Sequence, residues 1–589
     1  MRRSSILTIA GVSCVLFAAA AMRLNSHSSS AQAAQPQAAP VAASALQSAV
    51  QLKPVSATET TSKLSDIPRT SLSAAPGTEI YIAKRGESIP AVARQYLHRT
   101  AYLTSSELGD AIRHANGDRT ANILKAGEQI TIPGILAEPI VEHTVPVAKD
   151  FEVRAIYLTG IMAASDHGLR IIRHWREVGG NAVVFDIKDS DGSVTIPFEH
   201  PLLGKHQVYI HDLPKFVHFV HSQNMHAIAR IAIFRDEHLV VSHPELAVQS
   251  RKNKQPWREN GKLVWTDSSN PTVQDYNIAL AKFVAQSGAD EIQFDYVRFP
   301  AEGDQKDASF VFQAGQPETA QSQDLAAVKN AAEPECSASS GSDPAPQGQK
   351  NAAQGASRGA ADKNQTAPKG RKDKCSAAPH TLQRTDVITA FLKKAYAELH
   401  PTGVLLSLDV FGVMAWQRSV DLSHTGQDIV GMAKYCDVLS PMIYPSHFFG
   451  MDNIEHPGDA PEHFIGESME RFELITKGSG VVIRPWLQAF HWRTKTYSSD
   501  YIKVQVATAK EKGGIGFLFW NAANDYSKPY EAMPEMRAAD LKSSSAKDGS
   551  NKDGSSKDAP KEPKYFRGDE LPTSTVKASL IPIAVPSSR

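Results

Sequence analysis

The sequence has no excess of charge of either sign, since 63 Lys and Arg residues balance 63 Asp and Glu residues. Nucleic-acid-binding proteins normally carry a basic excess, so that class is not indicated. Cysteine is scarce, with 4 residues in 589 and no Cys-x-x-Cys pair. This excludes a disulfide-dense small protein and a cysteine-based zinc ribbon. With 41% apolar residues, 37 Gly and 35 Pro, the composition is typical of a globular protein with low-complexity segments attached.

Several catalytic and cofactor motifs are missing as well. No Gly-x-Ser-x-Gly sequence lies at a predicted strand–turn–helix junction, which argues against a serine hydrolase. A metal site formed by Asp186, Asp189 and Asp295 is an alternative, but neither His-x-His nor His-Glu-x-x-His spacing supports it. No cofactor is expected. The pair Gly179-Gly180 precedes a predicted strand, which is the wrong side for a dinucleotide-binding turn.

The N-terminal segment has the pattern of an export signal. Met1-Arg2-Arg3 is a short basic start, and an apolar run follows at residues 6–22. Residues 1–23 are therefore predicted to be a signal peptide or an N-terminal anchor, the one part of the chain expected to meet a membrane. This predicts an exported protein that is periplasmic, associated with the cell envelope or anchored in the inner membrane. Residues 24–77, rich in Ala, Ser, Gln and Pro, predict a disordered linker.

Two further low-complexity segments, at residues 303–380 and 541–589, predict a disordered insertion and a disordered tail. They contain too few apolar residues to offset the entropy cost of ordering. Cys336 and Cys375 lie in the insertion. They would pair or stay as free thiols, and the sequence leaves both alternatives open.

Residues 78–135 have the pattern of a small strand–helix–helix–strand domain. Gly86 and Gly127 lie at predicted turns that need a positive φ. The segment around Gly86, KRGESI, and the closing segment LKAGEQITIP resemble a LysM module, although Glu87 stands where an Asp is usual. The resemblance implies binding of an N-acetylglucosamine-containing glycan such as peptidoglycan. The alternative is a small domain of the same fold without glycan contacts.

From residue 150 to residue 540, short β-branched or aromatic runs alternate with helical patterns, which indicates repeated βα units and a parallel sheet. Eight such units predict a (β/α)8 TIM barrel, with the insertion after the fourth strand, on the catalytic rim. An open doubly wound sheet is the alternative, but no Gly-rich phosphate loop follows the first strand. The predicted strands are residues 153–158, 182–187, 226–232, 291–296, 404–410, 438–444, 483–490 and 515–520.

Reacting groups in such barrels lie at the C-terminal ends of the strands. Carboxylates at several strand ends, with aromatic residues around them, suit glycoside cleavage, in which one carboxyl protonates the leaving oxygen and another attacks or activates water. The candidate catalytic residues are Asp295, Asp409 and Asp186. The candidate substrate-binding residues are Arg230, Arg298, Tyr444, Gln488, Trp486, Trp520, Asn521 and Trp265.

The segment EIQFDYVRFP at residues 291–300, together with VVFDIKD, LDVFG and SPMIYPSHF, resembles the bacterial glycoside hydrolase family known as DUF4015. The resemblance covers residues 151–535 apart from the insertion. It implies a barrel akin to α-amylase-like and α-galactosidase-like hydrolases, with the nucleophile at the end of strand four, here Asp295. It also implies an acid/base on strand five or six, where Asp409 is the nearest carboxylate. Asp186 is the reserve carboxylate.

These observations predict an enzyme that cleaves a cell-envelope or extracellular polysaccharide with two carboxyl groups. The alternative is a non-catalytic carbohydrate-binding or wall-scaffold protein built on the same barrel, because a fold alone does not determine a function. Convergence of Asp295, Asp409 and Arg298 on one cleft lined by Trp520 and Trp486 would favour catalysis.

Overall fold

The computed structural model describes residues 77–314 and 381–548, and describes the side chains of the last helix through residue 538. The predicted signal segment, Cys336 and Cys375 lie outside these residues. Within the described part of the chain, no helix is both long enough and apolar enough to cross a bilayer.

The N-terminal unit has the expected strand–helix–helix–strand order. Strands β1 (Thr78–Ile82) and β2 (Gln129–Pro133) pair antiparallel, and helices α1 (Ile89–Tyr96) and α2 (Ser105–Ala115) pack on them. Asn116, at the end of α2, donates to the carbonyls of the helix and of β2 and accepts a backbone N–H from β2. One amide side chain therefore ties the second helix to the closing strand.

The main domain is a closed barrel of eight parallel strands, which confirms the predicted TIM barrel. Each strand pairs with its neighbours in chain order, the first also pairs with the eighth, and the fourth pairs with the fifth across the insertion. The strands are β3 (Val153–Leu158), β4 (Ala182–Lys188), β5 (His226–Ala232), β6 (Glu291–Asp295), β7 (Leu405–Phe411), β8 (Val438–Ile443), β9 (Trp486–Gln488) and β10 (Gly516–Trp520).

Helices cover the outside of the barrel, and several begin at capping side chains. Asp212 and Asn270 each accept a backbone N–H from the first turn of the helix that follows. The long helices are α3 (Asp166–Glu177), α4 (Leu213–Ser222), α5 (Pro271–Gln286), α6 (Arg384–Leu399), α7 (Pro461–Thr476), α8 (Ser499–Glu511) and α9 (Ser527–Asp548). Shorter helices occupy Gly160–Ala163, Glu237–Ser242, Ser419–Thr425 and Ile429–Met432.

The barrel interior is layered along its axis. At the N-terminal end, Glu291 accepts from Arg484 at 2.8 Å and lies 3.2 Å from His226, and all three are buried. An apolar layer above them includes Val184, Ile228 and Leu518. Buried polar side chains also lie between the two ends of the barrel, since Gln293 on β6 donates to the hydroxyl of Ser440 on β8.

The N-terminal unit packs against α3 and α4. The buried ammonium group of Lys215 donates to the carbonyl oxygens of Leu97 at 3.0 Å and Tyr102 at 3.2 Å. Arg173 pairs with Glu107 at 2.7 Å. Burying a lysine is costly unless its donors are used, so these bonds give the contact a defined geometry.

The segment between the two units crosses the N-terminal end of the barrel. The backbone N–H of Val145 donates to Asp290 Oδ1 at 2.9 Å. Glu142 contacts His218 Nδ1 at 2.7 Å and His221 Nδ1 at 3.3 Å. His221 also contacts Asp290 at 2.9 Å through its other ring nitrogen. A histidine–carboxylate cluster therefore holds this segment to the barrel.

Three predicted boundaries differ from the structure. The seventh strand divides into Val482–Ile483 and Trp486–Gln488, because Pro485 has no N–H for the ladder. The insertion predicted at 303–380 begins later, since Ala308–Ser309 pairs with Gln249–Ser250. The buried Phe310 also packs on Phe299 there. Helix α9 continues to residue 548, beyond the predicted tail boundary at 541.

Arg384 joins the described residues on the two sides of the insertion. Its guanidinium donates to Gln305 Oε1 at 2.9 Å and to the carbonyl of His424 at 2.6 Å. It also lies over the rings of Phe299 and Phe310. The chain on both sides of the insertion is therefore fixed to the barrel.

Candidate active site

One buried arginine stands at the centre of three carboxyl groups at the C-terminal end of the barrel. Arg230 on β5 lies 2.5 Å from Asp186 Oδ1 through Nη1 and 2.5 Å from Asp295 Oδ2 through Nη2. Its Nε is 3.9 Å from Asp409 Oδ2. The three acids belong to β4, β6 and β7, so neighbouring strands bring the predicted catalytic residues together.

Strand register places Asp295 and Asp409 at the same height, because Phe294 pairs with Leu408 just before them. Arg230 Nε also donates to Asp295 Oδ2 at 3.2 Å. Since this nitrogen is 3.9 Å from Asp409 Oδ2, the two oxygens are at most about 7 Å apart. Catalytic carboxyl pairs of glycosidases are separated by roughly 5 to 9.5 Å.

The cluster contains three carboxyl groups and one guanidinium, and burial raises the pKa of two of the carboxyl groups. Burial, followed by the nearby Asp295 carboxylate, holds the pKa of Asp409 well above its usual range, although Arg230 opposes the shift. Burial also raises the pKa of Asp186 to about 7 against the effect of Arg230. Burial and the neighbouring carboxylate therefore favour the protonated form of Asp409, which lies beside the ion pair of Asp295 and Arg230.

Two aromatic side chains hold the outer carboxyl groups in place. Trp486 is 1% exposed, and its indole N–H donates to Asp409 Oδ1 at 2.7 Å. The hydroxyl of Tyr157 donates to Asp186. The sequence predicted Trp486 as a sugar-binding residue, and the structure places it beneath the carboxyl group that it orients.

Trp520 lies beside Arg230 and Tyr157 in the same cluster and is partly exposed. Its ring stacks on Tyr157 at 4.1 Å and lies 5.4 Å from the guanidinium carbon of Arg230. Tyr444 at the end of β8 belongs to the same interior cluster as Trp486. Of the predicted residues, this end of the barrel thus brings together the three acids, Arg230, Tyr444, Trp486 and Trp520.

Arg298 and Trp265 lie apart from the cluster of three carboxyl groups. The Arg298 guanidinium is held between the rings of Trp265 at 4.6 Å and Phe411 at 4.5 Å, and it donates to the carbonyl of Phe299. Trp265 is fully buried and donates to Glu259. Both residues pack the loops behind strand four.

The side-chain amides of Gln488 and Asn521 form hydrogen bonds with backbone groups of the loops at the C-terminal end of the barrel. The Gln488 amide accepts the N–H of Ser446, and it donates to Phe490. The side chain of Asn521 donates to the carbonyls of Ala489 and Asp525. The structure therefore uses these two amides to brace loops.

Sequence reasoning missed two tyrosines of the site. Tyr157 follows Val153 and Ala155 in the alternation of β3, and that alternation was the available signal for an inward-facing hydroxyl. Tyr296 has a positive φ of 53°, an uncommon conformation for a tyrosine. Its N–H donates to Asp295 Oδ1 at 2.6 Å, and its hydroxyl accepts from Arg235. The strained residue therefore orients the carboxylate that precedes it.

Two surface cavities are lined by residues 198–206 and by loops near residues 250–261 and 303–307. Neither cavity is lined by a carboxyl group of the cluster. Across residues 77–314 and 381–548, no set of three His, Cys, Asp or Glu side chains is arranged to hold a metal ion.

The model of family DUF4015, described as "Putative glycosyl hydrolase domain", matches residues 155–526, which is more than half of the chain. The chain belongs to this family, and its barrel is a glycosyl hydrolase domain. No curated protein matches the sequence.

Among solved structures, a hypothetical protein from Ruminiclostridium thermocellum ATCC 27405 is 36% identical over 28% of this chain and 85% of its own, with a TM-score of 0.25. The PgaB (BpsB) glycoside hydrolase domain from Bordetella bronchiseptica is 12% identical over 65% and 99%, with a TM-score of 0.41. The spore cortex-lytic enzyme SleL from Bacillus megaterium QM B1551 is 11% identical over 77% and 85%, with a TM-score of 0.34. The fold assignment rests on the strand pairing described above.

Proposed function

We propose that this DUF4015 member hydrolyses a cell-envelope or extracellular polysaccharide by two-carboxylate catalysis. One observation carries the proposal: Asp295 is ion-paired with Arg230, while burial and this neighbouring carboxylate raise the pKa of the adjacent Asp409. Pairs of carboxyl groups whose environments drive their pKa values apart supply the acid and the base that glycoside cleavage requires.

In the proposed reaction, Asp409 donates its proton to the glycosidic oxygen as the bond from that oxygen to the anomeric carbon breaks. Asp295 attacks the anomeric carbon or stabilises its developing positive charge. Water then adds to that carbon, the bond to Asp295 breaks where one has formed, and the water gives up a proton to the ionised Asp409, which restores both carboxyl groups to the resting state. Arg230 aligns Asp295, and Trp486 fixes the orientation of Asp409.

Trp520 and Tyr444 supply the aromatic surface next to the acids. One face of Trp520 is covered by Tyr157. Because the indole is only partly buried, we expect its remaining surface to stack on a sugar ring at the scissile bond.

The N-terminal unit is proposed to bind an N-acetylglucosamine-containing glycan, and the chain to be exported to the cell envelope. The KRGESI turn and the basic, apolar N-terminal segment support these proposals. The Lys215 contact would hold such a unit at a constant position relative to the barrel. Sedimentation of the full chain with peptidoglycan, compared with residues 136–589, tests the assignment.

The hydrolysis proposal is tested with Asp295→Asn and Asp409→Asn in the full chain, assayed for new reducing ends. The panel contains peptidoglycan, α-glucans and galactosaminoglycans. We expect each substitution to lower the rate by roughly 100-fold or more. Asp437→Asn is the matched control, because Asp437 is also buried but accepts the backbone N–H of Leu406 at the other end of the barrel. Unchanged rates in Asp295→Asn would refute the assignment.

A non-catalytic carbohydrate-binding role is the second candidate, and the burial of the acids favours it. Asp409 is 2% exposed and Asp186 is 1% exposed. This candidate predicts that the wild-type chain binds a glycan of the panel without releasing reducing ends.

A further inference from the structure

An aromatic surface at the C-terminal rim of the barrel is formed by the loops that follow β8 and β9. The rim platform consists of His447, Phe449, Phe490, Trp492 and Arg493. The Trp492 ring lies 4.8 Å from His447 and 5.7 Å from Phe449, and Phe490 lies 6.0 Å from His447. All four rings are partly exposed, so the platform faces solvent.

The platform is held in shape by the backbone beneath it. The Gln488 amide donates to the carbonyls of Phe490 at 3.0 Å and Trp492 at 3.4 Å. Arg493 has a positive φ of 47°. A Cβ atom at Gly458 would lie 2.1 Å from the carbonyl oxygen of Arg493, so only glycine fits against that strained residue. These contacts therefore fix the conformation of the loop.

The platform carries one exposed positive charge. The Arg493 guanidinium lies 4.2 Å from the Phe449 ring centre and 4.6 Å from that of Trp492. Among residues 77–314 and 381–548, no carboxylate forms an ion pair with Arg493. Burial, followed by the charge of Arg493, lowers the pKa of His447 to about 4, so this histidine is neutral at pH 7. A fixed guanidinium with open donors is suited to an anionic group.

The platform continues directly from the candidate active site. Phe490 packs on Tyr444 with ring centres 5.7 Å apart, and Tyr444 belongs to the interior cluster that contains Trp486. Both loops follow strand C-terminal ends, on the side of the barrel where the acids lie. A glycan that extends from the acids past Tyr444 therefore reaches Trp492 and Arg493.

We propose that the rim platform is a subsite for a sugar residue that carries a carboxylate, so that the substrate is an acidic polysaccharide. This inference rests on the proposed function. The apolar face of the sugar stacks on Trp492 or Phe449, and the carboxylate accepts two parallel hydrogen bonds from Arg493. A neutral sugar would use the rings but would leave the guanidinium without its anionic partner.

The test measures binding separately from hydrolysis. The full chain with Asp295→Asn is run in native gels that contain hyaluronan or polygalacturonate, and in gels with the carboxyl-reduced form of each polymer. We expect retardation by at least one acidic polymer at roughly tenfold lower concentration than by its reduced form. Arg493→Met should remove this preference, and Arg493→Lys should keep part of it.

Arg471→Met is the matched control, because Arg471 also lies over a tryptophan, Trp416, but is paired with Glu467. It should leave the preference unchanged. Equal binding to acidic and reduced polymers, no binding to either acidic polymer, or a preference that survives Arg493→Met would overturn the subsite. Charge-selective binding by the Asp295→Asn chain, with no release of reducing ends from the same polymer by the wild-type chain, would instead refute the catalytic proposal and leave the subsite standing.

Discussion

Replacing Trp486 by phenylalanine tests the assignment of Asp409 as the acid. The indole N–H donates to Asp409 Oδ1 at 2.7 Å, and this bond favours the ionised carboxylate over the neutral acid. Its loss should raise the pKa of Asp409 further. A general acid must be protonated, so the alkaline limb of kcat/KM should move to higher pH.

The magnitude follows from the difference between two hydrogen bonds. A bond to a charged group contributes about 1.5 to 3 kcal/mol and a bond to a neutral group about 1 kcal/mol. The difference of roughly 0.5 to 2 kcal/mol corresponds to about one pKa unit. The pH profile of hydrolysis, measured on the glycan identified with the panel, should therefore show its alkaline limb about one unit higher.

Trp175→Phe provides the comparison. Trp175 is also fully buried, and its indole donates to the carbonyl of Arg154 at 3.0 Å, outside the acid cluster. Both substitutions should lower the free energy of unfolding by about 1 to 3 kcal/mol. Only Trp486→Phe should move the alkaline limb of the kcat/KM profile. An unchanged limb, or an equal movement in both variants, would refute the reasoning.

Three further predictions concern the rest of the structure. Arg484→Met leaves Glu291 buried without its cation and should lower the free energy of unfolding by about 3 to 5 kcal/mol, measured by urea denaturation. Burial would lower the pKa of His221, but hydrogen bonds to Asp290 and Glu142 raise it to about 9. Stability from this protonated form is complete below about pH 6.5 and falls as pH rises toward 9, and His221→Gln should remove that fall. Lys215→Met leaves two carbonyls without a donor and should accelerate proteolysis between the N-terminal unit and the barrel.

Each of these predictions has an outcome that contradicts it. Lys282→Met, which removes an exposed partner of Glu398, should cost far less stability than Arg484→Met, and an equal cost would contradict the burial argument. A pH dependence that persists in His221→Gln would assign it to other groups. Unchanged proteolysis in Lys215→Met would show that the contact does not hold the two units together.

Strand periodicity predicted the barrel well because buried parallel strands are short, apolar and regularly spaced. The runs at 153–158 and 226–232 coincide with β3 and β5. The seventh strand was predicted too long because Pro485 sits inside an apolar run, where periodicity does not register the missing donor. Phe310 lies in the segment predicted as low-complexity, and its position depends on contact with Phe299, which composition does not report.

The sequence predicted the position of those candidate residues whose side-chain direction follows from the alternation along a strand. Asp186, Asp295 and Asp409 face inward because each sits in phase with the interior of its own strand. Arg298 and Trp265 could not be placed in this way, because they lie beyond strand ends and loop packing decides their direction. The hydrogen bond of Trp486 to Asp409 depends on contacts between β7 and β9, which have no local signature.

The position of the insertion divides the barrel into halves of equal strand number. Strands β3 to β6 precede it and β7 to β10 follow it, and Arg384 fixes the chain on the far side to Gln305 on the near side. A break of the chain between residues 315 and 380 would therefore give two four-stranded fragments. The fragments could still associate through the β6–β7 pairing and the hydrogen bond from Arg384 to Gln305. Asp295 ends the first fragment's last strand, and Asp409 lies in the second fragment's first strand. Each fragment alone lacks one member of the acid pair, so recovered hydrolysis would report reassembly of the split chain.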